Sequence, residues 1–223
     1  MSELEETAKA TQEVAKTTNT AIETTRDFGN YMSQFFTPPL EQVSELITDK
    51  LKYYTWSNKL NLMSKAKKKM DKLGLHAQNT IPLKLGIPLL EAASLEEDDK
   101  LQELWANLLV NSSTGFSLER SYISVLEQMS WLETNILMKI YKTISPHEQY
   151  DDILLTLNTE EIFDDLIKIG ISEYDIKLAF SNLTRLQCIL RVVTYGGGEN
   201  FKRIHTTIFG RTLFESIKNP INK

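Results

Sequence analysis

From Ile81 to Leu186 the apolar residues of this 223-residue chain recur every three or four positions, and at Cys188 the interval falls to two. The first spacing lines one face of a helix and the second lines one face of a strand. Residues 188–195 (CILRVVTY), 196–200 (GGGEN) and 201–209 (FKRIHTTIF) therefore read as strand, glycine turn and strand. A chain with this switch folds as successive short helices closed by a β-hairpin.

Capping signals cut the helical stretch into elements. Pro82 and Pro88 punctuate its start, and a short helix should carry Leu89, Leu90, Ala92 and Ala93. Ser94 and Glu97 have the spacing of a capping box, and the acidic residues 96–99 would lie in the first turn of the next helix, where its dipole favours negative charge. That helix carries the strong stripe Leu101, Leu104, Trp105, Leu108 and Leu109. Residues 112–117 read as a loop before a helix with Tyr122, Ile123, Leu126 and Met129. Ser130 with Glu133, and Asn158 with Glu161, repeat the capping-box spacing. They head helices carrying Ile136, Leu137, Ile140 and Tyr141, and Phe163, Leu166 and Ile167, with a loop at Pro146 and His147 between. Gly170 stops the second of these, and Ser172 caps a helix with Ile176, Ala179, Phe180, Leu183 and Leu186. Three helices, a hairpin and a final helix over FGRTLFESIK follow the order of a winged helix-turn-helix, with 172–187 as the recognition helix and 188–209 as the wing.

The N-terminal third is organised differently. Leu4, Ala8, Thr11, Ala15, Thr18, Ile22, Thr25, Gly29, Met32 and Phe36 form a heptad seam over residues 2–36. Its Ala and Thr bury little area, so such a helix needs a partner: the rest of the chain, a second copy or a bilayer. Thr37-Pro38-Pro39 breaks it, and a second helix should run from about Pro38 to Leu73, with Gly74 as its stop. The expected fold is mostly α: long N-terminal helices over 1–80, a helical middle over 81–128 and a winged-helix-like part over 129–223.

Composition limits the function classes. The net charge is −5, so anions can be drawn only by a local patch. Cys188 is the single cysteine, which suits a reducing compartment. The first 18 residues lack the basic and apolar regions of a secretory signal, and no run approaches the ~20 apolar residues a spanning helix needs. These features predict a cytoplasmic protein, peripheral at the inner membrane if a basic surface meets lipid. His76, His147 and His205 stand far apart, and no metal-ligand spacing occurs. Glu91, Glu96, Glu97, Asp98 and Asp99 are accounted for by capping, and Cys188 sits among Leu186, Ile189 and Leu190 as a core residue. No cofactor, metal site or catalytic set is expected.

Three surfaces are candidates for binding. Residues 50–72 hold eight lysines, among them Lys59, Lys65, Lys67, Lys68, Lys69 and Lys72, with Tyr53 and Trp56 nearby. A basic helix with aromatics suits an anionic bilayer or a phosphate backbone, while the plainer reading pairs the lysines with acids 96–99. Phe28, Tyr31, Met32, Phe35 and Phe36 make the end of the first helix apolar enough to dock on a protein partner or on a second copy. The wing carries Arg191, Lys202 and Arg203, which suit phosphate contacts. Against nucleic acid, the recognition helix opens with Glu173 and Asp175.

Residues 81–112, IPLKLGIPLLEAASLEEDDKLQELWANLLVNS, resemble the signature of the abortive infection alpha family of bacteria and their mobile elements. The residues that carry the likeness include Ile81, Pro82, Lys84, Pro88, Glu91, Ala92, Ala93, Ser94, Asp98, Gln102, Trp105 and Leu109. The N-terminal stretch and the SVLEQMSWLETNIL segment extend it over most of the chain, with a Thr-rich first helix and the TPP break as departures. The resemblance implies a role in abortive infection, in which a phage-infected bacterium stops growing or dies before the phage matures. It brings no catalytic residues. The expected function is non-enzymatic defence through protein–protein contact or disturbance of the inner membrane. The alternatives are a DNA-binding regulator using the winged helix, and a scaffold or antitoxin-like partner of a neighbouring protein.

Overall fold

The computed structural model describes residues 36–37, 53–144, 155–192 and 201–220, and the side chains of these from Asn58 onward. Over them the chain is mostly helical, with eight helices and a small three-stranded antiparallel sheet. Helix α1 spans Tyr53–Leu73, α2 Leu83–Leu95, α3 Asp99–Ser113, α4 Arg120–Glu127 and α5 Trp131–Lys142. Strand β1 (Phe36–Thr37) pairs in parallel with β2 (Ile81–Pro82). The heptad seam was expected to keep Phe36 helical, and here it is the first residue of a strand opposite Ile81. Pro38 drives Thr37, the residue before it, to extended backbone, and Phe36 joins it in the pairing with β2. The expected helix over 2–35, and the 38–52 part of the second, lie outside the described residues.

Strand β3 (Thr156–Asn158) precedes α6 (Glu160–Lys168) and α7 (Glu173–Arg185). Strands β4 (Ile189–Arg191) and β5 (Arg203–Thr206) follow, then α8 (Ile208–Ile217). The hairpin expected from the period of two is present, with Leu190 opposite His205. A third strand, β3, joins its other side, so β5 is central in the order β3-β5-β4. Three residues are too short to show alternation, and β3 gains its hydrogen bonds only once β5 is in place.

Two of the three capping boxes are relocated. Ser130 and Glu133 form theirs as expected at the start of α5. Ser94 instead ends α2, its hydroxyl donating to the Glu91 carbonyl at 2.8 Å. Helix α2 starts at Leu83, runs through Pro88 and continues to Leu95 because Leu89, Leu90, Ala92 and Ala93 are buried together. The cap of α3 falls to Asp98, which accepts from the N–H groups of Lys100 (2.8 Å) and Leu101 (3.1 Å). Asn158 ends β3, and its Oδ1 accepts from the Glu160 N–H at 2.8 Å. Thr159 holds the cap position of α6 while its hydroxyl donates to the Phe201 carbonyl, tying α6 to the hairpin.

One buried cluster joins these elements. Trp105, Leu108 and Leu109 of α3, Leu62 and Ala66 of α1, Ile136 and Leu137 of α5, Phe180 and Leu183 of α7 and Leu213 of α8 all belong to it. Helix α8 returns to α3, where Asn107 and Asn111 donate to the Ile217, Ser216 and Lys218 carbonyls at 2.8–2.9 Å. These side chains satisfy helix-end carbonyls that would otherwise lack partners.

After α7 the chain turns through Gln187, a non-glycine residue at φ 59°. The Cys188 N–H donates to the Leu183 carbonyl at 2.9 Å, closing the helix in the manner that usually recruits glycine. Gln187→Gly is therefore expected to raise stability by about 1 kcal/mol, read as a higher urea midpoint with unchanged slope. A fall in the midpoint would show that the side chain contributes more than the backbone costs.

Candidate functional site

The α1 lysines divide by face. Lys59 is only 5% exposed, so it does not belong to an open anion-binding surface. Burial pushes its amine below the usual lysine range, and the charge of Glu91 offsets part of that shift. Lys65 reaches Asp99 and Glu103, each at 2.7 Å, and Lys69 reaches the other Glu103 oxygen at 2.6 Å. The pairing lies with Asp99 at the end of the acidic run and with Glu103 one turn beyond it. Asn58 donates to the Ser94 and Glu96 carbonyls, and Asn61 donates to Gln102 at 2.5 Å. A polar seam thus fastens α1 to the α2–α3 turn. Lys67, Lys68 and Lys72 remain on the exposed side. The side chains of Tyr53 and Trp56 lie outside the described residues, as do Phe28, Tyr31, Met32 and Phe35; Phe36 is described as backbone in β1.

Burial alone would raise the Glu103 carboxyl, but hydrogen bonds and charge from Lys65 and Lys69 outweigh it and hold it below its ordinary value. Burial alone would lower Lys65, and Asp99 with Glu103 outweigh that and hold it above. The depressed carboxyl contributes stability that is present above its unfolded value of about 4.3 and is lost as pH falls through the folded value. The raised amine contributes stability present below about 10.4 and lost as pH rises through its folded value. Glu103→Gln is expected to cost about 1 kcal/mol at neutral pH, and the deficit should vanish in acid. Denaturant titrations of both proteins at pH 3 and pH 7 check this; a deficit that is the same at both would exclude the ionic origin.

On the sheet side, Lys202 lies 3.6 Å from Glu160, and Arg191 and Arg203 are exposed on β4 and β5. Arg191 thus lies on an edge strand and Arg203 on the central strand, while Lys202 precedes β5 with Glu160 beside it. His205 bonds Thr156 across β5 and β3 at 2.9 Å. Cys188 is buried, and burial pushes its thiol up to about 12, which keeps it protonated and poorly nucleophilic.

Helix α7 is anchored at its start by Ser172, which accepts from the Asp175 N–H at 3.1 Å. Ile176, Ala179, Phe180 and Leu183 face the core. The opposite face presents Tyr174 at 74% exposure and Leu178 at 57%, with Glu173 paired to Lys177 at 2.7 Å. Ile167 and Ile169, at the end of α6, are exposed beside them in the chain. Sequence reasoning missed this surface. The residues were assigned to α7 for its buried stripe and its charge, and Tyr174 with Leu178 at i,i+4 opposite that stripe was the available signal.

Among the described residues, no group of three or more His, Cys, Asp and Glu side chains is arranged to hold a metal ion. No helix of the described residues is long and apolar enough to cross a membrane. The model of the family described as Abortive infection alpha matches residues 57–222. The chain belongs to the abortive infection alpha family. Comparison with curated proteins and with solved structures gives no match.

The fold explains what the abortive infection alpha signature in 81–112 does in this chain. Ile81, Leu89, Leu90, Ala92, Ala93, Leu101, Trp105, Ala106, Leu108 and Leu109 are buried hydrophobics. Ser94 and Gln102 are buried polar residues, and the Gln102 amide donates to the Glu96 carbonyl at 2.8 Å. The buried part of the signature is a packing unit on which α1 and α8 rest, while Lys84, Glu91, Leu95 and Glu97 lie on its exposed side.

Proposed function

We propose that the protein acts in abortive infection without catalysis, by binding another protein molecule through the outward face of α7 in a winged-helix-like module. The observation that carries this is the exposure of Tyr174 and Leu178 on a helix whose opposite face is buried. Contiguous exposed apolar surface marks contact sites, and Tyr174 and Leu178, one turn apart on the same face, supply the apolar part of such a surface. Support for the winged-helix reading comes from the order α5–β3–α6–α7–β4–β5–α8 and from the sheet order β3-β5-β4. A DNA-reading helix would bring basic groups to the bases, whereas α7 begins with Glu173 and Asp175 and spends Lys177 on Glu173.

A phage plating assay tests the reading. Cells carrying the intact gene should resist at least one phage of a broad panel, and Leu178→Glu should remove that resistance while the purified variant keeps its helical circular dichroism. Resistance that survives Leu178→Glu with Tyr174→Glu would exclude α7 as the working surface.

A second reading is peripheral contact with anionic lipid, and the exposure of Lys67, Lys68 and Lys72 on α1 favours it. Changing all three to Glu should then abolish sedimentation with anionic vesicles. Absence of vesicle binding by the intact protein would remove the membrane reading and leave the α7 reading untouched.

A further inference from the structure

We propose that the α7 face is a self-recognition surface, on which a second copy of this chain docks with its own α7 running antiparallel. This names the occupant of the surface and rests on the reading of α7 as a docking face.

Tyr174, Leu178, Ser181 and Arg185 are spaced four, three and four residues apart. That is the interval of a helix-pairing seam. It lies half a helical turn from Ile176, Ala179, Phe180 and Leu183, the side chains that hold α7 to its own core. The seam, exposed at Tyr174, Leu178 and Arg185 and half-buried at Ser181, is thus fixed in direction by the buried one.

The charges choose the occupant. Glu173 and Asp175 stand at the N-terminal end of α7 and Arg185 in its last turn. An antiparallel copy related by a two-fold axis between Leu178 and Ser181 places Tyr174 opposite Arg185 of the second copy, and Leu178 opposite its Ser181. The N-terminal acids, Glu173 paired with Lys177 at 2.7 Å and Asp175 accepting from the Ser172 hydroxyl at 2.6 Å, then flank the guanidinium of the other copy, and the two helix dipoles oppose. A parallel pair would set acid against acid. A nucleic acid would set those acids against phosphate.

Arg185 is already oriented for this role. Its Nη1 donates to Gln128 at 3.1 Å, and its Nε and Nη2 donate to Asn182 at 3.0 and 2.7 Å. A planar cation held in this way can stack on a tyrosine ring without a further loss of side-chain freedom. Leu178 against a serine lets the helices approach closely. The surface is its own complement, as an isologous contact requires.

A 13-residue helix is about 20 Å long, so this contact falls at the small end of protein interfaces. A weak, concentration-dependent dimer follows.

Sedimentation equilibrium of the full chain from about 1 to about 300 µM covers the range of such interfaces. The mass should climb from 25.6 kDa towards about twice that value. Leu178→Arg, at an exposed position, should weaken association about tenfold or more, and Tyr174→Ala should weaken it in the same direction. Glu173→Arg and Arg185→Glu should each weaken it, and combining them in one chain should restore it with the polarity reversed. A wild type that stays monomeric throughout, or a dimer unaffected by Leu178→Arg and Tyr174→Ala, overturns the proposal. Should the wild type be monomeric while Leu178→Arg still abolishes phage resistance, α7 remains a docking face and the second copy is excluded. Should Leu178→Arg dissociate the dimer without loss of resistance, self-recognition stands and the functional reading of α7 falls.

Discussion

Gly210→Ala should destabilise the protein by about 3 kcal/mol or more, although alanine is ordinarily the better residue inside a helix by about 1 kcal/mol. A Cβ at Gly210 would overlap the Cys188 carbonyl oxygen and the Tyr141 hydroxyl, and would lie 2.8 Å from the Cys188 carbonyl carbon. Two of these atoms are backbone of the chain entering β4 and cannot rotate aside. The third is the Tyr141 hydroxyl, which donates to the Cys188 carbonyl at 2.6 Å and accepts from the Thr207 N–H at 3.0 Å. Burial holds this phenol above its ordinary range, against a smaller opposing effect of Thr207, so it remains a neutral donor. Relief of the overlap must move α8 away from β4 and break this node, at the cost of buried polar groups left without partners. Urea unfolding of Gly210→Ala beside the wild type measures the effect. Adding Tyr141→Phe should not rescue it, because the Cys188 carbonyl still stands in the way. An alanine variant as stable as the wild type would show that α8 can shift without breaking the node.

Trp105→Ala should cost about 3–5 kcal/mol, a large share of the roughly 5–15 kcal/mol that holds a domain of this size. Trp105 is 1% exposed and is one of the largest fully buried side chains in the described part of the protein. It lies on α3, which packs against both α1 and α8, so the cavity left behind would touch the contacts of both neighbours. The urea midpoint and the near-ultraviolet circular dichroism should fall together. Loss of less than about 1 kcal/mol would mean that α1 or α8 collapses into the space. The prediction bears on function directly. Trp105 belongs to the stretch that carries the family likeness, and a Trp105 variant that fails to protect cells would report instability. Leu178 and Tyr174 do not share that ambiguity, being exposed.

Much of the helix order was legible in the sequence, because local signals decide it. The Ser130–Glu133 box, the Ser172 cap and the stop at Gly170, which takes φ 89°, need only their neighbours in the chain. The change of period at Cys188 marked the hairpin for the same reason. The assignment of Trp105, Leu108, Leu109, Phe180 and Leu183 to the core followed from helical spacing alone. The stretch 81–112 was enough to indicate the family.

Tertiary structure decided what local signals leave open. Two serine and asparagine boxes had the right spacing and were not used. Burial of Leu89 and Ala93 extended α2 past Ser94, and the hairpin drew Asn158 into β3. The basic stretch looked like one face. Packing of α1 on α3 divided it, turning Lys59 inward and Lys65 and Lys69 onto Asp99 and Glu103, and leaving Lys67, Lys68 and Lys72 outside. Which side of an amphipathic helix has a neighbour is a fact about the rest of the chain. On α7 the charges argued against a nucleic-acid reader, and only the burial of its opposite face left Tyr174 and Leu178 as an apolar pair facing outward. Sequence fixes the period of a helix and the chemistry of its two ends. The direction in which its faces look is set by contacts between residues far apart in the chain, and no local pattern records them.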